Sequence, residues 1–332
     1  MSLKMPGKGS RFLLVAAGVA LFFYLIWRIG FEAILANISR FGVWFLAILA
    51  VGASWLFFQT CAWSIIQNAF FKKVPFLSLF RIKIIGDALN VLLPSASLGG
   101  EAARAYLLKK AVPLKEGIPS IVFDKTVEFV ASTVFLAAGL LLGSLFVRLP
   151  EGLLAPTVIC LAVTTAGLVL LVVFSVRGVC GTLARITTRF PKVRKWVADR
   201  EEHLEALDEN LRLLYRKGHL KTAAAVGFHF LGRLAGAFEV LIVLRVLGVP
   251  VGPVQAVFIY SVIVVINTVF FILPGQWGVT ESASMLLLQA LGRPAAIGLS
   301  LGVIRRIRKL VFVALAFGLY FVDNKGGGVP RR

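Results

Sequence analysis

The chain has 332 residues, 58% of them apolar and 27 of them phenylalanine, well above the roughly 45–50% apolar content of soluble domains. Its formal net charge of +20 at pH 7 does not point to nucleic acid, because the basic residues sit between apolar runs, where a positive-inside bias and anionic lipid account for them. The three cysteines (Cys61, Cys160, Cys180) lie in or near apolar runs without metal-like spacing, which excludes a disulfide framework.

Apolar runs of about 18 residues or more recur along the chain, the mark of an all-α polytopic membrane protein. Residues 1–332 read as a single integral membrane domain with about six full transmembrane helices and two broken, re-entrant helical hairpins. The N-terminal stretch, with Lys4, Lys8 and Arg11 before an apolar run, is like a signal sequence. It lacks a small-residue cleavage site before Arg28, so Phe12 to Ile29 is expected to remain as a first helix running outward from the cytoplasm. Val43 to Ile66 returns, and Lys72, Lys73, Arg81 and Lys83 mark the cytoplasmic side.

The first broken segment, residues 84–117, contains GDALNVLLPSASLGGEAARAYLL from Gly86 to Leu108. Proline removes a backbone donor and glycine lets the chain turn, so Pro94, Gly99 and Gly100 are the expected break, with a helix restarting at Glu101. Basic clusters flank this segment on both sides, so it enters and leaves from the cytoplasm, as a re-entrant hairpin or a pair of short helices. Ile118 to Val147 is the next span, with Asp124, Lys125 and Glu128 near its start, and Leu153 to Val176 returns inward.

Residues 177–221 hold eleven Lys/Arg and six Asp/Glu and form the strongest cytoplasmic anchor. Within them Trp196 to Tyr215 carries apolar residues at helical spacing, either an amphipathic helix lying on the membrane or on a partner, or a solvated connector. Thr222 to Val246 runs outward. The second broken segment, residues 254–292, repeats the first: Leu-Pro, a glycine-containing loop (Pro274, Gly275, Gly278), then Glu281. Glu281 follows Pro274 at the offset by which Glu101 follows Pro94. Ala295 to Val322 returns to the cytoplasm, which leaves both termini cytoplasmic and the two breaks inserted from opposite faces, as an inverted repeat produces.

The last span carries Arg305, Arg306, Arg308 and Lys309 near its middle. One Arg or Lys at the bilayer centre is unfavourable by about 2.5–3.5 kcal/mol, so four unpaired charges would cost on the order of 10 kcal/mol, a domain's whole stability. They must therefore meet water, acidic partners or an anionic ligand. Snorkelling to the interface would leave only Leu310 to Val322 beyond the cluster, too short to span. A phosphate-bearing lipid headgroup suits them, arginine being able to bind it bidentately. Arg104 is a further candidate, for a phosphate or for Glu101.

The acidic candidates are Asp87, Glu101, Asp124, Glu128, Glu239 and Glu281, balancing charge or gating. Asp124 and Glu128 share a face at i, i+4, either as partners of cations or as acids at a helix start. Glu101 and Glu281 sit near restarting helices, where capping is the ordinary role. Arg233 and Glu239, six residues apart, do not share a face and each needs a partner from another helix. His229 reads as a satisfied polar residue of the bundle rather than a ligand. No HExxH, CxxC, Walker loop or GxSxG occurs, so no enzyme, cofactor or metal site is expected.

Together the stretch from Gly86 to Leu108, the later LPGQWGVTESASMLLL and the basic final helix resemble a flippase-like membrane family related to the transmembrane domain of lysylphosphatidylglycerol synthase. Gly86, Asp87, Pro94, Gly99, Gly100, Glu101 and Arg104 match its first motif, and Pro274, Gly275, Gly278 and Glu281 its second. Ser-Ala-Ser follows Pro94 where glycine is common in the family. No aminoacyl-transferase domain follows the last helix, so lysine transfer is not carried over. The resemblance implies lipid translocation in a bacterial inner membrane, and a subset of stand-alone members is associated with hopanoid biosynthesis. A non-transporting scaffold of a lipid- or glycan-modifying enzyme, acting through the 177–221 loop, and an ion-coupled small-anion transporter are the alternatives. A homo-oligomer or a lipid-biosynthesis enzyme is compatible as partner.

Overall fold

The computed structural model describes residues 39–92, 98–146, 219–270 and 278–325, with Gln276 and scattered positions before 39 and between 155 and 209. The expected first helix, the span Leu153 to Val176, most of the 177–221 loop, Pro94, Pro274 and Gly275 lie outside the described residues. Those described form helices: α1 Trp44–Phe70, α2 Phe76–Leu92, α3 Leu98–Leu108, α4 Leu114–Phe146, α5 His219–Val246, α6 Pro253–Val269, α7 Val279–Ala290 and α8 Ala295–Lys325. Three of them, α1, α4 and α5, are long and apolar enough to cross a membrane. The 31 residues of α8 reach about 46 Å, but its basic cluster keeps its composition apart from those three.

The helices fall into two sets of matching length. The first set has 27, 17, 11 and 33 residues; the second has 28, 17, 12 and 31. Packing pairs the sets crosswise, with α1 against α5, α4 against α6 and α8 against α2. The leading helices run antiparallel. The rings of Phe58 and Phe228 lie 6.4 Å apart, Gly232 faces Trp55 and Gln59, and Ala225 packs near Ala62 and Ile66. As α5 numbering rises, its α1 partners fall.

Polar groups fix the local turns. Beyond α1, Val74 N–H donates to Asn68 Oδ1 (2.8 Å) and the Gln67 side chain donates to Lys72 O (3.0 Å). These side chains satisfy backbone that would otherwise be orphaned, so the chain reverses into α2 within a few residues. Pro253 opens α6 at a position where its missing N–H is harmless, and Gln255 Oε1 accepts from Gly252 N–H at 3.1 Å. Gly278 caps α7 with φ +75°, a left-handed conformation that side-chain-bearing residues resist.

The first expected break is corrected in detail. The helix resumes at Leu98, so Gly99 and Gly100 belong to α3 rather than to a hinge. Gly100 instead lets α3 lie against α2: a Cβ there would meet the Gly86 carbonyl and the Asn90 side chain. Hence α2 and α3 are a pair of short helices folded back on each other. The helix preceding the break begins at Phe76, taking in Arg81 and Lys83.

Small residues set the other close crossings. Gly298 and Gly302 of α8 face the α7 backbone at Ser284, Met285 and Glu281, while Gly139 and Gly143 of α4 face Ser261 and Phe258 of α6. Spacing by four places each pair on one helix face, which permits the backbone approach that lipid-embedded helices rely on. The largest apolar core joins α1, α4, α5, α6, α7 and α8 around Ile48, Phe135, Val240, Ile263 and Leu301.

Candidate functional site

Charged side chains from both sets converge in two clusters, and α5 contributes to each. The first centres on Asp124, 0% exposed. Arg104 Nη2 donates to its Oδ2 at 2.8 Å, Lys83 Nζ lies 3.5 Å from the same oxygen, and Oδ1 is 3.1 Å from His229 Nε2. Arg104 also lies over the Trp63 ring, 4.0 Å from its centre, a favourable use of the ring's negative face. One turn along α4, Glu128 accepts from Lys125 (2.9 Å) and Arg233 (3.4 Å), and Arg233 donates to Ser132 Oγ at 2.7 Å. Lys125 Nζ also reaches Glu101 Oε1 at 3.1 Å, beside Asn90, whose amide donates to Glu101 and whose oxygen accepts from Gly100 N–H at 2.7 Å.

Asp87 is half-buried, with one oxygen buried and unpartnered, and its neighbouring cations are Lys83, Lys125 and Arg104. Lys83, Arg104, Lys125 and Arg233 thus face Asp87, Glu101, Asp124 and Glu128. The formal charges of these eight side chains cancel.

The second cluster lies where α5, α6, α7 and α8 meet. Glu239, 2% exposed, accepts from Arg308 Nε at 2.7 Å and Arg305 Nε at 3.3 Å. The Arg305 guanidinium lies 5.0 Å from the Tyr260 ring centre, and its Nη1 is buried without a hydrogen-bond partner. Glu281, fully buried, takes a bidentate contact from Arg306 through Nε and Nη2. Arg306 also donates to the Gln276 carbonyl at 3.1 Å. Across the break, Thr280 Oγ1 donates to Asn267 Oδ1 (2.9 Å) and Gln276 Nε2 to Asn267 O (2.7 Å).

A cleft is lined by Asn267, Thr280, Glu281, Gly302, Arg305, Arg306 and Lys309. It encloses about 10 Å³, the space of one water. Lys309 makes no ion pair among the described residues. Among the described residues four cations here meet two carboxylates, a surplus of formal positive charge.

These positions revise the sequence expectations. The last-helix arginines find acidic partners, Arg305 and Arg308 on Glu239 and Arg306 on Glu281. Arg104 is not with them: it pairs with Asp124 rather than with Glu101, in the other cluster. Lys83 is 1% exposed and faces Asp124 instead of marking an interface. Asp124 and Glu128 do take cations from other helices, though not those of α8. Arg233 and Glu239 each find partners on a second helix, and His229 is held by Asp124. Glu101 and Glu281 behave alike in one respect, each pairing with a cation of the long helix that follows it, Lys125 and Arg306.

Asn267, Thr280, Gln276, Trp63, Asn90 and Tyr260 escaped sequence reasoning. One signal was available, since Asn267 precedes Glu281 by the interval separating Asp87 from Glu101. Gly298 and Gly302, spaced by four, mark the face that receives Glu281. No group of three His, Cys, Asp or Glu that could hold a metal occurs among the described residues.

Residues 12–316 match the family model described as the lysylphosphatidylglycerol synthase TM region, and the chain belongs to that family. A UPF0104 membrane protein of Pyrococcus horikoshii is 25% identical over 337 residues, covering 95% of this chain and 97% of that protein. No solved structure matches.

Proposed function

From this membership and the two charge clusters, we propose that the protein is a lipid translocase that receives an anionic headgroup in the cleft beside α8. The observation that carries the reading is the surplus positive charge of Arg305, Arg306, Arg308 and Lys309 over Glu239 and Glu281, held inside a membrane protein. An internal surplus of this kind is unfavourable without an anion, and a phosphate group supplies one with geometry suited to arginine. Glu281 then acts as the stand-in. In the closed state its carboxylate occupies Arg306; as α7 moves away from α8 the headgroup phosphate takes its place.

In this reading the two helix sets form an inverted repeat. The pairs α2–α3 and α6–α7 are short helices entering from opposite faces, with both chain termini cytoplasmic and about six full spans in all. The matched lengths and the antiparallel α1 and α5 support it, because an axis in the membrane plane reverses each element relative to its counterpart. The first cluster, whose formal charges cancel, serves as the structural counterpart that holds α2, α3, α4 and α5 together. The chain's own role is binding and movement, with no catalytic step.

The test is protein-dependent movement of acyl-labelled lipids in proteoliposomes, read with an impermeant reductant that destroys the label on the outer leaflet. A panel of anionic lipids is compared with phosphatidylcholine. Movement of anionic lipid above the protein-free rate supports the reading. If monodisperse, correctly folded protein moves none of the anionic panel, the translocase reading fails.

A further inference from the structure

We infer that the cleft beside α8 selects a dianionic phosphomonoester headgroup over a monoanionic phosphodiester. This rests on the translocase reading above and names the substrate class of the same site.

Charge discriminates most where charge is unfavourable. The cations facing the cleft or adjoining it are Arg305, Arg306, Arg308 and Lys309, and the acids are Glu239 on α5 and Glu281 on α7. No charged side chain of another described element lines the cleft. Neither α1 nor α6 carries a charged residue. On α2, Asp87 has Lys83, Lys125 and Arg104 as its cationic neighbours, and Lys83 faces Asp124. On α5, Arg233 is taken by Glu128 and Ser132. Counted at formal charge over the described residues, the site carries a surplus of two positive charges, whereas the lysines, arginines and carboxylates of the first cluster cancel.

A phosphodiester headgroup brings one negative charge and leaves one cation unmatched in a low-dielectric interior. A phosphomonoester brings about −1.5 to −2 at neutral pH and three acceptor oxygens. Donors are present for those oxygens. Arg305 is 6% exposed with Nη1 buried and unpartnered, and the Lys309 ammonium lines the cleft without an ion pair. Together with Arg306, whose pairing with Glu281 is already counted, these supply donors on two turns of α8, matching a terminal phosphate rather than one esterified on both sides.

The same chemistry could come from a lipid phosphomonoester or from free phosphate, and the assay separates them. Acyl-labelled phosphatidic acid (a phosphomonoester), phosphatidylmethanol (a monoanion of nearly the same size) and phosphatidylcholine are compared in proteoliposomes at pH 7, with uptake of radiolabelled inorganic phosphate as a parallel arm. The inference expects phosphatidic acid to move about tenfold faster than phosphatidylmethanol, the scale of one screened charge contact. Lys309→Gln, which removes an ammonium without breaking an ion pair among the described residues, should bring that ratio close to one by slowing phosphatidic acid far more than phosphatidylmethanol.

Equal rates for the two anions in the wild type would overturn the phosphomonoester preference and leave the translocase reading standing. Movement of no anionic lipid would overturn the translocase reading itself. Phosphate uptake without lipid movement would assign the cleft to a small anion and overturn the lipid source. An unchanged ratio in folded Lys309→Gln protein would show that the surplus charge is not what discriminates.

Discussion

Glu239→Gln tests the charge arrangement most directly. Glu239 is the only acid paired with Arg305 and Arg308 among the described residues, and its two ion pairs are the polar ties between α5 and α8 there. Amide substitution keeps the side chain's shape and one acceptor oxygen, while two buried guanidiniums lose their counter-charge. Removing one partner of a buried ion pair typically destabilises by about 3–5 kcal/mol, because the other charge is left uncompensated. Against a total stability of about 5–15 kcal/mol, that is a large fraction, and the second arginine places the expected loss at the upper end of that range. Arg308 has no alternative acid among the described residues, whereas Arg305 retains the Tyr260 ring face.

The assay is equilibrium unfolding in mixed detergent micelles, with far-ultraviolet circular dichroism and tryptophan fluorescence as coincident probes. A second variant separates charge from shape. Arg308→Met alone should be milder, because Glu239 keeps Arg305. Combined with Glu239→Gln, it should recover part of the loss, giving a coupling of about 0.5–3 kcal/mol. A loss below about 1 kcal/mol for Glu239→Gln, or strict additivity in the double variant, would refute the view that these buried pairs hold α5 to α8.

Two further outcomes are expected. Gly100→Ala should destabilise by about 1–3 kcal/mol through overpacking, since its Cβ would meet backbone and the Asn90 side chain, whereas Gly227→Ala, with nothing within 4 Å, should not destabilise. The same unfolding assay reads both. Cysteines at Lys110 and Pro294, exposed positions just beyond α3 and α7 where the two proposed hairpins leave the membrane, should be modified by an impermeant thiol reagent from opposite sides of sealed vesicles. Modification from one side would rule out the inverted arrangement.

How much of this was legible in the sequence follows from the range of each interaction. Hydropathy depends on composition within a window, so the spans α1, α4 and α5 could be placed from the sequence to within a few residues. Proline and glycine act on their own backbone, so an interruption between α6 and α7 is legible locally, and Gly278 does cap α7 with φ +75°. The first break was misplaced at its exit because Gly99 and Gly100 are helical; a glycine read as a hinge was instead a packing surface, and sequence does not distinguish the two uses. Intramembrane charges were recognised as needing partners because their burial is unfavourable whatever surrounds them.

Which partner each charge takes was decided by tertiary structure alone. Arg104 meets Asp124 and not Glu101, three residues away on its own helix, because α3 folds onto α2 and turns that face toward α4. Glu239 reaches Arg305 and Arg308, and Glu281 reaches Arg306, only because Gly298 and Gly302 let α7 approach α8 while α5 crosses behind them. The sequence by itself determined a helical membrane protein with two interrupted segments and a set of costly internal charges. Only the packing determined that these charges form one cluster whose formal charges cancel and one with a formal cationic surplus, since ion pairing depends on through-space distances between residues far apart in the chain.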